Sequence, residues 1–251
     1  MQISLPSPAK VTEQETNRAT FKIEGLYPGY GLTLGNALRR VLLSSLPGSA
    51  VTLVKIKGVD HEFSTIPYVI EDVVEIILNL KQLRFKMYSE EPQILHLKAS
   101  GEKDVTAEDI KCPSQVELVS PEVHIATLTD KKAGLEMEIQ IERGLGYVPV
   151  EQRKKEKLEI GAVAVDAIFT PIRKVNYEVE NMRVGDRTDY NRLILDIETD
   201  GTITPLEAFE RTAQILVEQF KVFAGEPGKE EAGEKEKKAE KTKAKKTTKK
   251  K

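Results

Sequence analysis

Apolar and polar residues alternate along several stretches of this chain, the period of a strand with one dry face. Residues 135–142, Leu-Glu-Met-Glu-Ile-Gln-Ile-Glu, alternate without a break. Phe21 and Ile23 oppose Lys22 and Glu24 in the same way. Val175, Tyr177 and Val179 alternate with Asn176, Glu178 and Glu180, and Leu193, Leu195 and Ile197 continue the theme with Asp196 and Glu198. Half-wet strands of this kind build antiparallel sheets with helices on one side. No regular strand-helix rhythm suggests a parallel sheet, so the predicted class is α+β, antiparallel sheets with a few helices.

Three segments switch to helical spacing. From about Leu34 to Ser45, one face gathers Leu34, Ala37, Leu38, Val41, Leu42 and Ser45, and Pro47-Gly48 stops the run. Arg39 and Arg40 fall outside that stripe, on opposite sides of the helix at ~100° per residue. On their own they read as a solvated helix face. A second helix covers roughly Glu71 to Leu80, with Ile70, Val73, Val74, Ile77 and Leu78 as its stripe. The third has the best-marked start: Thr204 as N-cap, Pro205 at N1 and Glu207 closing a capping box. Leu206, Phe209, Ala213, Leu216, Val217, Phe220 and Phe223 then mark its apolar face, and Gly225 and Pro227 end it. Such a stripe must be buried. Periodicity leaves two ways open: both terminal helices cover a sheet, or they pair and double across a two-fold axis into a four-helix core.

Composition narrows the class. With 251 residues, 39% hydrophobic and 31% charged, the chain makes one large soluble domain or two small ones. Cys112 is the only cysteine, which excludes an internal disulfide and a four-thiolate zinc site. Three histidines without a carboxylate cluster make a metal site a poor expectation. The longest apolar run is four residues, Ala162 to Val165, so no helix is expected to span a membrane. Met1 to Pro6 has neither a basic start nor an apolar core, so no secretion signal is expected and a reduced intracellular compartment follows.

The net charge of -2 conceals an asymmetry. Lys229 to Lys251 holds 11 lysines against 5 glutamates; removing them from totals of 38 and 40 leaves 27 basic and 35 acidic residues, so a body of -8 carries a tail of +6. Residues 226–251 contain no large apolar side chain and are predicted to be disordered. Their charge suits either an arm that touches phosphates or another acidic surface, or a merely solubilising end.

Candidate chemistry is scarce. Arg143-Gly144-Leu145-Gly146-Tyr147 lacks the third glycine and the following helix of a dinucleotide site. Gly29-Tyr30-Gly31 has no Gly-Lys-Ser/Thr behind it, and both read as turns. His61, His96 and His124 are scattered, and Cys112 precedes Pro113 with no base beside it. No active site is visible.

The segment Gly29-Tyr30-Gly31-Leu32-Thr33-Leu34-Gly35-Asn36-Ala37-Leu38-Arg39-Arg40-Val41-Leu42-Leu43-Ser44-Ser45 closely resembles the signature of bacterial RNA polymerase alpha subunits. The likeness continues through Gly58-Val59-Asp60-His61-Glu62-Phe63-Ser64-Thr65, Glu71-Asp72, Leu78-Asn79-Leu80-Lys81 and Leu128-Thr129-Asp130. It resumes at Arg143 to Pro149, Val165-Asp166, Arg187-Thr188-Asp189 and Thr199-Asp200-Gly201-Thr202-Ile203, covering residues 1 to about 224.

The resemblance implies a dimerisation domain of residues 1–47 and 172–225, interrupted by an inserted, mostly-β domain of 48–171. It implies a homodimer in which Leu34, Leu38, Val41 and Leu42 meet Phe209, Ala213, Leu216, Phe220 and Phe223 across a two-fold axis. The dimer would be the non-catalytic scaffold on which the polymerase beta and beta-prime subunits assemble for transcription. Arg39, Arg40 and Lys81 match positions associated with beta, and Val165 and Arg187 positions associated with beta-prime. No cofactor is expected in this chain, and the catalytic magnesium is expected in beta-prime. The location implied is cytoplasmic, with the nucleoid once in the polymerase. The family continues into a C-terminal DNA-binding domain, in whose place this chain carries its lysine-rich tail, read as a natural end. That tail offers at most non-specific DNA contact. The competing reading is a free nucleic-acid-binding protein acting through the tail, which a body of -8 without an aromatic stacking platform opposes.

Overall fold

In a computed structural model describing residues 3–153 and 161–225, the apolar alternations become two separate antiparallel sheets. The chain begins with β1 (Lys10–Gln14), β2 (Arg18–Leu26), α1 (Tyr30–Ser44) and β3 (Pro47–Ile56). It continues through α2 (Val73–Leu80), β4 (Phe85–Met87), β5 (Gln93–Ser100), β6 (Lys103–Thr106), β7 (Ile110–Lys111), β8 (Val116–Leu118) and β9 (His124–Leu128). The last part is β10 (Gly134–Leu145), β11 (Tyr147–Val148), β12 (Ala162–Ala164), β13 (Ala167–Ile168), β14 (Ile172–Val184), β15 (Arg187–Thr199) and α3 (Pro205–Phe223). The α+β expectation is met, with helices against sheets that keep one wet face. The inferred tail, 226–251, lies outside the described residues.

The first sheet runs β1-β2-β15-β14, so strands from the two ends of the chain lie side by side. Phe21 and the Leu193-Leu195-Ile197 set are buried on its inner face, under α1 and α3. Its wet face is tied by ion pairs. Arg18 makes a fork with Asp196 at 3.0 and 2.8 Å, and Arg192 bridges Glu24 and Glu180 at 2.9 and 3.1 Å. The second sheet runs β12-β3-β10-β5-β7 and packs its dry face, Leu95, Leu97, Leu135, Met137, Ile139 and Ile141, into a separate core with α2. On its wet face Glu136 sits between Lys57 and Lys98, and the Lys57 ammonium holds its carboxyl below the usual range.

All three helices depart in detail from their sequence reading. α1 begins at Tyr30, four residues before the predicted start, so Gly31 belongs to the helix. Its N-cap, Gly29, is left-handed and has no side chain to accept from the first turn, and Asn191 on β15 substitutes by accepting from Gly29 N–H at 2.8 Å and Gly31 N–H at 3.4 Å. A Cβ at Gly31 would lie 2.7 Å from Val179, and one at Gly35 2.7 Å from Tyr177, so these glycines let the helix backbone rest on the sheet. α2 is turned relative to its predicted stripe. Val73, Ile76 and Leu80 are buried, while Ile70 and Leu78 face solvent, because the helix leans on β9 and Asn79 donates to the Ile125 carbonyl at 3.1 Å.

The start of α3 is as predicted in one half only. The Thr204 hydroxyl accepts from Glu207 N–H at 3.3 Å and Pro205 occupies the first turn. The reciprocal bond of a capping box is replaced by an ion pair of Glu207 with Arg211 one turn on. The stripe of α3 divides. Pro205, Ala208 and Thr212 are buried, Phe209 stacks on Phe21 with ring centroids 4.6 Å apart, and beyond Leu216 every residue is exposed.

The two sheets meet where the chain crosses between them. Gly48 and Gly144 are cross-strand partners in β3 and β10, and Phe169 lies over both. A Cβ at Gly48 would sit 1.9 Å from the Phe169 carbonyl oxygen, and one at Gly144 2.6 Å from its ring. Gly144 is therefore a strand residue pressed by an aromatic ring, whereas Gly146, at φ 62°, makes the turn expected there. Gly48→Ala is expected to destabilise the protein by roughly 1–3 kcal/mol, since backbone must move to admit the methyl. Gly134→Ala, in open space at an ordinary φ, should stay within about 0.5 kcal/mol. Denaturant melts of the two variants would check the pair.

Candidate functional site

The polar residues singled out by sequence fall into two groups. The first lies around α1. Arg39 and Arg40 are both exposed, and the Arg39 Nε donates to the Val175 carbonyl at 3.4 Å, tying it to β14. Arg40 is exposed, and its guanidinium has no hydrogen-bond or ion-pair partner among the described residues. Arg187, at the start of β15, lies off the other end of α1, nine residues along β14 from the level of Val175. It grips Asp189 with a two-pronged bond, 3.0 and 2.7 Å, and lies against the edge-to-face pair of Tyr27 and Tyr190, at 5.7 and 5.5 Å from their centroids. The Asp189 carboxylate, with Tyr27 adding to it, raises the Arg187 pKa above the usual guanidinium value. Tyr27 also meets Tyr30, the first residue of α1, edge to face. Arg187 is thus a cation held in one orientation, because a planar guanidinium stacks and forks at once.

The second group lies in the other sheet's module. Lys81 caps α2 and reaches Asp166 at 3.2 Å. Asp166 also accepts from Val150 N–H at 3.1 Å, and this backbone bond, with Lys81, keeps its carboxyl below the ordinary range. Next to it, Val165 is 2% exposed. Its side chain belongs to the core and its carbonyl accepts from Arg153, so it has no apolar surface to offer a partner. What this corner presents is the Lys81–Asp166 pair. Sequence alone did not single out Arg153 or connect these four residues.

The proposed dimer positions also divide. Leu38 and Leu42 are buried within the protomer, so they act as core and offer nothing to a second copy. Leu34, Val41, Phe209, Ala213 and Leu216 are half-buried. Phe220 is 60% and Phe223 83% exposed, with Val217 and Val222 exposed beside them.

An ion pair that no spacing could reveal joins the modules. Arg84, just past α2, meets Asp200, just past β15, at 3.4 Å, with side chains 21% and 5% exposed. The Arg84 Nη1 also donates to the carbonyls of Lys81 and Leu83 at 2.8 Å each. Asp200 uses its other oxygen to accept from the Thr202 N–H and hydroxyl, at 2.9 and 2.6 Å. Burial lowers the Arg84 pKa against the pull of Asp200. His124, read as an isolated histidine, also has a carboxylate neighbour, Glu71 at 2.8 Å. Among the described residues, no three of His, Cys, Asp and Glu gather as metal ligands, and no helix is long and apolar enough to cross a membrane.

Comparison with known proteins draws on most of this surface. Residues 54–170 match the family model described as the RNA polymerase Rpb3/RpoA insert domain. Over 213 residues the chain is 53% identical to the DNA-directed RNA polymerase subunit alpha of Symbiobacterium thermophilum, covering 85% of this chain and 67% of that one. It is 51% identical over 224 residues to the same subunit of a Roseiflexus species, covering 89% and 68%. With that of Carboxydothermus hydrogenoformans it shares 50% over 222 residues, covering 88% and 71%. Identity at this level, over more than four fifths of the chain and two thirds of each relative, places the chain in the family of bacterial DNA-directed RNA polymerase alpha subunits.

Proposed function

We propose that two copies of this chain pair through α3 and that the pair is the platform on which the beta and beta-prime subunits assemble. As an alpha subunit the chain is a non-catalytic part of a nucleotidyltransferase, and it assembles with other polymerase subunits. The observation that carries the dimer is the far half of α3. Val217, Phe220, Val222 and Phe223 stand exposed on a helix whose near half is already packed. Exposed aromatic and aliphatic side chains in one contiguous stretch mark a protein contact, since leaving them wet forfeits about 1.5–3 kcal/mol for each large one. The half-buried Leu34 and Val41 on α1 supply the rest of the apolar surface, in place of the buried Leu38 and Leu42.

The partner contacts follow from charge and rigidity. Arg39 and Arg40, on α1, and Lys81 are assigned to beta. Arg187 and the corner beside Val165 are assigned to beta-prime; there the neighbouring Asp166, and not the buried side chain or engaged backbone of Val165, faces the partner. A guanidinium fixed on a helix, or held against aromatic rings with its fork on a neighbouring carboxylate, presents its remaining N–H donors to a partner carboxylate or carbonyl with little ordering cost. The catalytic magnesium is assigned to beta-prime. Membership in the family displaces the reading as a free nucleic-acid-binding protein, and non-specific DNA contact by the lysine-rich 229–251 remains as an accessory role.

Three outcomes test this reading. Phe220→Asp should fold normally, because the position is exposed in the protomer, yet sediment as a monomer at micromolar concentration. Burying an unpaired carboxylate at the interface would cost several kcal/mol; an intact dimer removes α3 from the contact. Arg40→Ala should dimerise and melt like the parent but capture beta at least roughly tenfold more weakly, the loss of one charged hydrogen bond. Unimpaired reconstitution withdraws the assignment. Deleting 229–251 should leave dimerisation and assembly intact and weaken promoter binding alike on A/T-rich and G/C-rich upstream DNA, the difference shrinking as salt rises. Promoter affinities of both forms at two salt concentrations measure it.

A further inference from the structure

We infer that the Arg84–Asp200 pair is a positioning device for assembly: it fixes the inserted module on the dimerisation module at the angle that presents both contact groups together. The inference rests on the assembly role proposed above and deepens it. Three observations carry it. The pair joins two modules that otherwise have separate sheets and separate cores. It is largely shielded from water, where a charge interaction is stronger and less screened than on a surface. Each partner is also anchored at the base of a functional element. Arg84 binds the carbonyl of Lys81, whose ammonium belongs to the Lys81–Asp166 corner. Asp200 binds Thr202, two residues before the N-cap of α3, the helix that carries the exposed phenylalanines.

The surroundings make the pair directional. Arg84 N–H donates to the Ser120 hydroxyl at 2.9 Å, and Val119 N–H donates back to the Arg84 carbonyl at 2.9 Å. Across the seam, Thr202 holds the Asp200 carboxylate from within its own module, while the Asp200 N–H donates to the carbonyl of Pro171, the last residue of the inserted segment, at 3.0 Å, and a Cβ at Gly201 would lie 3.2 Å from Val119. Each end of the ion pair is thus oriented by its own module, and Asp200 also by the backbone at the boundary. Arg173, on β14, is close enough to repel Arg84, and Asp200 supplies the opposing attraction. Gly48 under Phe169, by contrast, lies wholly within the inserted segment: it closes the base of that module where the chain enters and leaves it, and leaves the angle to the other module open. The charged pair, reaching from one module to the other, closes that freedom.

The test uses the full chain. Nitroxide labels on Lys98→Cys and Glu178→Cys, in a Cys112→Ser background, report the distance between the modules by pulsed electron resonance. Arg84→Met and the double variant Arg84→Met/Asp200→Asn are compared with the parent, the double variant guarding against a fold damaged by an unpaired buried carboxylate. Both should broaden the distance distribution about twofold and weaken capture of the large subunits by roughly tenfold, with dimerisation unchanged. Arg84→Lys, which keeps the charge but not the fork to the Lys81 and Leu83 carbonyls, should broaden it less. An unchanged distribution in the double variant overturns the inference. So does a broadened distribution with unimpaired capture, because the angle would then be irrelevant to assembly. Failure of the parent chain to capture the large subunits would instead count against the proposed function, and the distance measurement would still decide whether the pair fixes the angle.

Discussion

The molecule depends on a seam only a few atoms thick. The chain leaves one sheet after α1 and returns to it before β14, and both crossings pass the spot where Phe169 lies on Gly48 and Gly144. Nothing larger than a hydrogen atom fits at the two glycines. That restriction is steric, short-ranged and insensitive to salt or pH, which suits a joint that must hold its spacing in any assembly. The Arg84–Asp200 pair works at the same seam by a different force, and its burial separates it from the many ion pairs elsewhere.

Those other pairs decorate wet sheet faces. Arg18–Asp196, Lys57–Glu136 and Arg192 with its two glutamates lie in contact with water, where solvent and salt screen them and each contributes little to stability. They pin the register of neighbouring strands and keep the faces soluble. The stability of each module lies in its dry side. There Leu193, Leu195 and Ile197 meet α1 and α3, and Leu95, Leu97, Leu135 and Ile139 meet α2. Gly31 and Gly35 make the first of these cores tight by bringing the α1 backbone down onto Val179 and Tyr177.

Strands with one dry face were legible in the sequence because their pattern is local: residues 135–142 and 193–198 declare their inward side by alternation alone. Helix ends were legible where the cap is local too, as at Thr204. They were not where the cap comes from afar. Asn191 caps α1 across 162 residues, so Gly29-Tyr30-Gly31 read as a turn. Faces failed for a related reason. Ile70 and Leu78 satisfy helical spacing, yet which side of α2 is dry depends on where β9 lies, and that is a tertiary fact. The uniform stripe of α3 concealed a change of environment at Leu216, and Val165 looked accessible because burial has no signature in a single valine. The Lys81–Asp166 and Arg84–Asp200 partnerships span 85 and 116 residues, distances over which charge pattern carries no information.

The discontinuous layout also orders the birth of the protein. Synthesis delivers β2 long before β15, its neighbour in the sheet, has left the ribosome. Until then β2 carries an unpaired edge and an uncovered Phe21. The segment between α1 and β14 packs mostly into its own core, and once Gly48 lies under Phe169 the gap between them shrinks from about 125 residues to a stub. By loop-closure entropy that shortening makes the final pairing easier by roughly 3 kcal/mol. The inserted module is thus a fastener sewn in before the garment is complete, and a nascent chain stalled ahead of Phe169 would be left with its widest loop open and its stickiest edge bare.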